Sequence, residues 1–184
     1  MMTLLRKVSR LAAILPLPVG LFVLALPPSS VYANSDWNQF DVCIQEMAIH
    51  GVSRDKAATA CADALIPKEL SECVSMIYAA TRIPGEKVML ACYQVRRPID
   101  LGNCVADVYN GIPAISRSEA NSEAKESTLL SLLNSCRLSL RPGFYSECVI
   151  ATSRGVPDMT PVKALDTCLA AEDFPRDLFP SYEQ

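Results

Sequence analysis

The chain has 184 residues and a net charge of −3, from 17 basic and 20 acidic side chains, with eight cysteines and one histidine. That balance leaves no basic surface for nucleic acid. A single histidine cannot supply a ligand pair for a metal.

The chain opens with Arg6, Lys7 and Arg10, followed by an apolar run from Leu11 to Leu26 that is broken by Pro16, Pro18 and Gly20. Val31-Tyr32-Ala33 forms a small-residue exit. This layout predicts a secretory signal peptide over residues 1–33, cut after Ala33. The run is shorter than the roughly 20 residues needed to span a bilayer, and it contains helix breakers, so no stable membrane insertion is expected after cleavage. Cys43 is the first cysteine, well past the cut, which argues against a lipid anchor. Residues 34–184 then form one domain, long enough to bury about 70% of its unfolded surface. The leader takes three of the basic residues and none of the acidic ones, leaving a net charge of −6 and no basic cluster. Neither nucleic acid nor an anionic membrane is the expected partner. Export to a periplasm, an organelle lumen or the extracellular medium fits the leader equally.

Eight cysteines in an exported chain predict four disulfides, with Cys43, Cys61, Cys73, Cys92, Cys104, Cys136, Cys148 and Cys168 as the bonded residues. No Cys-x2-Cys occurs, so neither a zinc site nor a thioredoxin-like redox pair is expected. No cofactor is implied. Aligned on the cysteines, the chain repeats: Cys43, Cys73, Cys104 and Cys148 open four units, and Cys61, Cys92, Cys136 and Cys168 close them. Three joints link the units, Cys61-x5-Pro67-x5-Cys73, Cys92-x5-Pro98-x5-Cys104 and Cys136-x5-Pro142-x5-Cys148. The units span about 38–66, 67–97, 98–141 and 142–174, and a C-terminal cap covers 175–184.

Each unit starts with a helical pattern. Phe40, Cys43, Ile44, Met47 and Ala48 share one helix face, as do Leu70, Cys73, Val74, Ile77 and Tyr78, and again Leu101, Cys104, Val105, Val108 and Tyr109. The fourth copy, Tyr145, Cys148, Val149, Thr152 and Ser153, weakens towards its end, as a terminal unit can. A turn follows in every copy: Gly51-Val52-Ser53, Ile83-Pro84-Gly85, Gly111-Ile112-Pro113 and Gly155-Val156-Pro157. Glycine is expected to supply the left-handed helix exit, and the β-branched residue to plug the core beneath.

The second half of each unit also reads as helix. Lys56, Lys87 and Lys163 stand five residues before a closing cysteine, with Ser131 in the third copy. They read as a solvated face that covers apolar neighbours with its stems. A small residue precedes each closing cysteine (Ala60, Ala91, Ser135, Thr167), which lets two helices approach to disulfide distance. The joint proline ends one helix and starts the next. Phe174 and Phe179 are expected to cover the last unit.

The expected fold is therefore all-α: four disulfide-pinned antiparallel helical hairpins, stacked as a solenoid or a compact bundle. Two pairings suit the repeat. Closure within hairpins gives Cys43–Cys61, Cys73–Cys92, Cys104–Cys136 and Cys148–Cys168. Bonds across the prolines give Cys61–Cys73, Cys92–Cys104 and Cys136–Cys148, stranding Cys43 and Cys168. Closure within hairpins is favoured because it uses every cysteine and tolerates the polar insertion 116–128 in the third unit. That insertion has the composition of either a mobile loop or an exposed helical extension.

Signs of catalysis are lacking. His50 lies beside the helix end at Gly51, where a capping role suits it. There is no nucleophile elbow, His-Glu-x-x-His, phosphate loop or EF-hand loop. Asp55, Glu69, Glu72 and Asp107 are carboxylates without a defining spacing. The expected function is non-catalytic: an exported helical repeat protein serving as a protein-interaction or structural module for an unidentified protein partner. The alternative is a carrier of a small apolar ligand or lipid. Plant lipid-transfer proteins and saposins, which the chain resembles in class, suggest it. The adjacent Cys-Cys and Cys-x-Cys of the former are missing, and saposins have six cysteines. A closed apolar cavity would favour the carrier and a filled core the interaction module.

Overall fold

The computed structural model describes residues 38–117 and 122–172. The expected signal peptide over 1–33, Phe174, Phe179 and the expected cap over 175–184 lie outside the described residues. Among those described, the chain forms nine helices and no strand: α1 (Gln39–Ile49), α2 (Arg54–Asp63), α3 (Pro67–Thr81), α4 (Gly85–Tyr93), α5 (Pro98–Gly111), α6 (Pro113–Ser116), α7 (Ser122–Leu138), α8 (Pro142–Gly155) and α9 (Pro161–Ala170).

Five of these helices open on proline, Pro113 in α6 and Pro161 in α9 as well as the three joint prolines. Pro67, Pro98 and Pro142 occupy the first position of α3, α5 and α8, where the missing N–H costs nothing. Leu70, Leu101 and Tyr145, each three residues later, are buried to 1% exposure and lead their helices into the core. Side chains cap the outermost helices: Asn38 accepts from the Phe40 N–H at 3.0 Å, and Thr160 accepts from the Lys163 N–H at 3.3 Å.

The turns depart from expectation in two respects, the glycine exits and the last core plug. Only Gly51 of the turn glycines has a positive φ, +85°, and the left-handed exit after α3 falls to Arg82 at φ 62°. Gly111 and Gly155 are instead the last residues of α5 and α8. Gly111 is small for another reason: a Cβ there would stand 2.7 Å from Ile150 Cδ1. Val52, Ile83 and Ile112 plug the core as expected, whereas Val156 is 44% exposed, and among the described residues no further helix follows the α8–α9 pair.

The insertion resolves in favour of helix over much of its length. Ser116 ends α6, and residues 122–128 form the first two turns of α7. The Ser, Glu, Ala and Lys residues there carry a helix outward past the core, which α7 rejoins at Leu129.

The helices pack in two rows. α1, α3, α5 and α8 each pack against the next, and α2, α4, α7 and α9 pack respectively against them. The first row is in register. Ser71, two residues before Cys73, bonds through its hydroxyl to Glu46, three residues after Cys43. Gly102 and Met76 occupy the same two positions one unit on, and they touch so closely that a Cβ on Gly102 would meet Met76 Cε. His50 meets Ser75, and Gly111 meets Ile150, again at matching positions. Arg154 adds a bond to the Gly111 carbonyl at 2.9 Å.

The buried apolar residues form one continuous cluster that includes the cystines. The four bonds are Cys43–Cys61, Cys73–Cys92, Cys104–Cys136 and Cys148–Cys168, with Cα separations of 5.9–6.1 Å. Four intramolecular disulfides are the mark of an oxidising environment.

Tyr145 is the largest fully buried side chain, and its hydroxyl donates to the Leu165 carbonyl at 3.0 Å, tying α8 to α9. Burial raises its pKa to about 12, because a tyrosinate there would be stripped of water. The unfolded chain releases this proton near pH 10. The folded state therefore holds the proton more tightly, and the associated stability is complete below pH 10 and drains away between pH 10 and 12. Tyr145→Phe is expected to lose about 1 kcal/mol at pH 7, the net worth of one buried hydrogen bond, since the Leu165 carbonyl keeps its partner within α9. It should also flatten the decline between pH 10 and 12. Urea midpoints of both proteins at pH 7, 10 and 11.5 test this, and parallel declines would refute the role given to Tyr145.

Candidate functional site

The second row is not filled along its whole length. α7 packs against both α4 and α9, but α2 finds its main partners in α1 and α3. The reason lies in α2 itself. Ala57, Ala60 and Cys61 face the core, while Asp55, Thr59 and Asp63 form the i, i+4, i+8 stripe turned towards α4. These are short side chains. The Thr59 hydroxyl donates to the Asp55 carbonyl of its own helix at 2.9 Å and does not reach across. On the opposite side, α4 buries Val88, Ala91 and Cys92, half-buries Met89 against the core and turns Leu90 and Tyr93 outwards. The result is an open groove of about 630 Å³ between α2 and α4.

Two polar bridges hold its walls together. Lys56 Nζ meets Glu86 Oε2 at 2.7 Å near one end, and the Tyr93 hydroxyl donates to the Asp63 carboxylate near the other. The Lys56 ammonium holds the Glu86 carboxyl below its usual pKa. The Asp63 carboxylate, by accepting from Tyr93 and repelling a phenolate, raises the pKa of that phenol. Leu90 is 55% exposed and Tyr93 42%, large apolar surfaces for an unpartnered helix face. Tyr93 also walls a second hollow of about 290 Å³ beneath the first joint, with Leu65, Ile66 and Val95. Leu90 likewise borders a hollow of about 230 Å³ between α4 and α7, with Leu130 and Leu133. Leu90 and Tyr93 thus stand at the centre of a run of three depressions.

The lysine stripe has a structure that its sequence spacing did not reveal. Lys56 on α2 pairs with Glu86 on α4, and Lys87 on α4 pairs with Glu126 on α7 at 2.6 Å. Each lysine reaches to the next helix of the row. Glu126 lies within the polar insertion, so the outward turns of α7 give Lys87 its partner. Ser131 replaces lysine where α7 packs directly against α9.

All eight cysteines are consumed in disulfides and none is free. His50 is the C-cap of α1. Its Nε2 shares a 2.9 Å hydrogen bond with Ser75 Oγ, its ring lies 4.8 Å from that of Tyr78, and its Nδ1 is buried without a hydrogen-bond partner. No carboxylate orients the imidazole, as it would in a serine–histidine triad. Asp55, Glu69, Glu72 and Asp107 are dispersed over α2, α3 and α5. Of these, Asp55 lines the groove, and Glu72 pairs with Lys68 at 3.4 Å. Among the described residues no three histidine, cysteine or acidic side chains converge as a metal site, and no helix is long and apolar enough to cross a membrane. Comparisons with protein-family models, with curated proteins and with solved structures found no match.

Proposed function

We propose that the protein is a non-catalytic interaction module of an exported compartment, an array of four disulfide-pinned helical hairpins that presents its second row to a protein partner. The array reading is supported by the repeated register of the first row, where Ser71 meets Glu46 as Gly102 meets Met76. Export is supported by the four disulfides together with the leader-like residues 1–33.

The single observation that carries the function is the groove between α2 and α4. Other large apolar side chains are exposed too, Ile49, Leu140 and Phe144 among them, but Leu90 and Tyr93 are the exposed pair that lines this groove. Exposed aromatic and aliphatic side chains beside a preformed depression are the features that anchor protein partners. The openness of the groove favours this reading over the lipid carrier, which calls for a closed apolar cavity.

The test uses the purified protein, immobilised and presented with the exported fraction of its own source, beside a fluorescent fatty-acid displacement assay. One protein recovered in stoichiometric amount, and lost with Leu90→Asp, is the expected result. Saturable displacement of the fatty acid would overturn the interaction reading in favour of the carrier.

A further inference from the structure

We infer that the groove between α2 and α4 receives an amphipathic helix of the partner protein, apolar on one face and basic along the edge that meets α2. This rests on the interaction reading above and specifies its occupant.

The two walls differ in chemistry. The α4 wall is apolar, with Met89, Leu90 and Tyr93. The α2 wall carries Asp55 and Asp63 on one stripe, with Thr59 between them. Lys56, the one cation lining the groove among the described residues, is neutralised by Glu86 at 2.7 Å. Tyr93 is an uncharged donor, so its bond to Asp63 brings no positive charge to the α2 wall. The α2 wall is therefore acidic, and an occupant complementary to both walls must be apolar on one side and cationic on the other.

Spacing favours a helix. Asp55 and Asp63 are eight residues apart, roughly 12 Å along the axis at 1.5 Å per residue. Cations seven or eight residues apart on an incoming helix have the same separation. Leu90 and Tyr93 are one turn apart and match an i, i+3 or i, i+4 apolar pair. No strand edge exists among the described residues to pair with an extended peptide. Met89, unbranched and polarizable, adapts to varied side chains. The bridges at either end keep α2 and α4 side by side, so the helix lies over the groove and inserts side chains between them.

The probe is a labelled 15-residue helix of leucine and lysine in amphipathic spacing, set against its leucine and glutamate counterpart. Anisotropy titrations should show the lysine helix binding about tenfold or more tighter than the glutamate helix. Charge reversal of the wall, Asp55→Lys with Asp63→Lys, should invert that preference. Leu90→Ala should weaken both helices by a factor of about ten, the loss of one apolar anchor. Reversal of Glu147 and Asp166, exposed carboxylates on α8 and α9 that do not line the groove, should leave the preference within about twofold. Helix content and melting temperature serve as the folding control for each variant. Equal effects of the two charge reversals would mean diffuse attraction to an acidic chain, and would overturn the groove as the site. If the partner captured from the natural source binds the Asp55→Lys, Asp63→Lys variant undiminished, the groove assignment falls and the interaction reading stands. Fatty-acid displacement by the unaltered protein would overturn both.

Discussion

Reduction of all four disulfides is expected to leave the chain without a cooperative unfolding transition at 25 °C. The bonds close loops with sequence separations of 18, 19, 32 and 20 residues. In the chain-entropy account, loops of this size each stabilise by about 3–4 kcal/mol. The loops follow one another along the chain and neither nest nor overlap, so their effects on the unfolded ensemble add. Their sum, about 13 kcal/mol, is as large as the whole stability of an ordinary domain, about 5–15 kcal/mol. The packed core cannot compensate. Seven of the eight cysteines are buried within it, so separated thiols also disturb its packing. The measurement is thermal and urea unfolding by circular dichroism, on protein reduced and alkylated in denaturant and then returned to buffer. A sharp transition in the alkylated chain would show that the apolar cluster suffices alone. Among single-bond removals by paired alanines, Cys104–Cys136 should cost the most, because its loop is the longest, but by less than about 1 kcal/mol over the others.

The same cysteines explain what could be read from the sequence. Their period, with proline midway in each joint, placed α3, α5 and α8 within a residue of their starts and gave an all-α chain with four disulfides. Side chains such as Leu70, Val74 and Ile77 recur at helical spacing because they face a core, and a core imposes periodicity. The groove left no such trace. Asp55, Thr59 and Asp63 look like any solvated stripe until the neighbouring helix is known to stand beside them. Leu90 and Tyr93 did carry a signal, since they fall off the buried stripe of Val88, Ala91 and Cys92. That mismatch gains meaning only when α4 is known to have a side on which no helix packs. The partners of the lysine row were hidden for a related reason. Lys56 and Lys87 have the spacing of an exposed face, and they are exposed, but Glu86 and Glu126 lie 30 and 39 residues further on. No local pattern joins residues so far apart. The left-handed exit at Arg82 shows the converse error: a rule that assigns this conformation to glycine was overridden where the chain placed its glycine at the start of α4 instead.

That displaced glycine gives the second large effect. Gly85→Ala is expected to destabilise the fold by about 2–3 kcal/mol, and Gly102→Ala by about 1 kcal/mol or less. By local propensity both substitutions should help, since alanine is the better helix former by about 1 kcal/mol. The difference lies in what an added methyl would strike. At Gly85 it would stand 2.1 Å from the His50 carbonyl oxygen and 3.0 Å from its carbonyl carbon. Those are backbone atoms at the end of α1, held by the Cys43–Cys61 bond and by the capping contacts of His50. They cannot yield without shifting the first helix pair against the second. At Gly102 the obstacle is the Met76 Sδ–Cε end, which swings aside by torsions about its own bonds. Gly111→Ala should fall between the two, because Ile150 Cδ1 at 2.7 Å belongs to a branched side chain with fewer rotamers. Urea unfolding of the three variants orders them directly. Equal losses at Gly85 and Gly102 would mean that the α1–α4 approach is looser than drawn. The expected order would show that the first two pairs are locked backbone to backbone. A rigid seam at that point is also what holds α2 beside α4, and so keeps the groove open in the absence of an occupant.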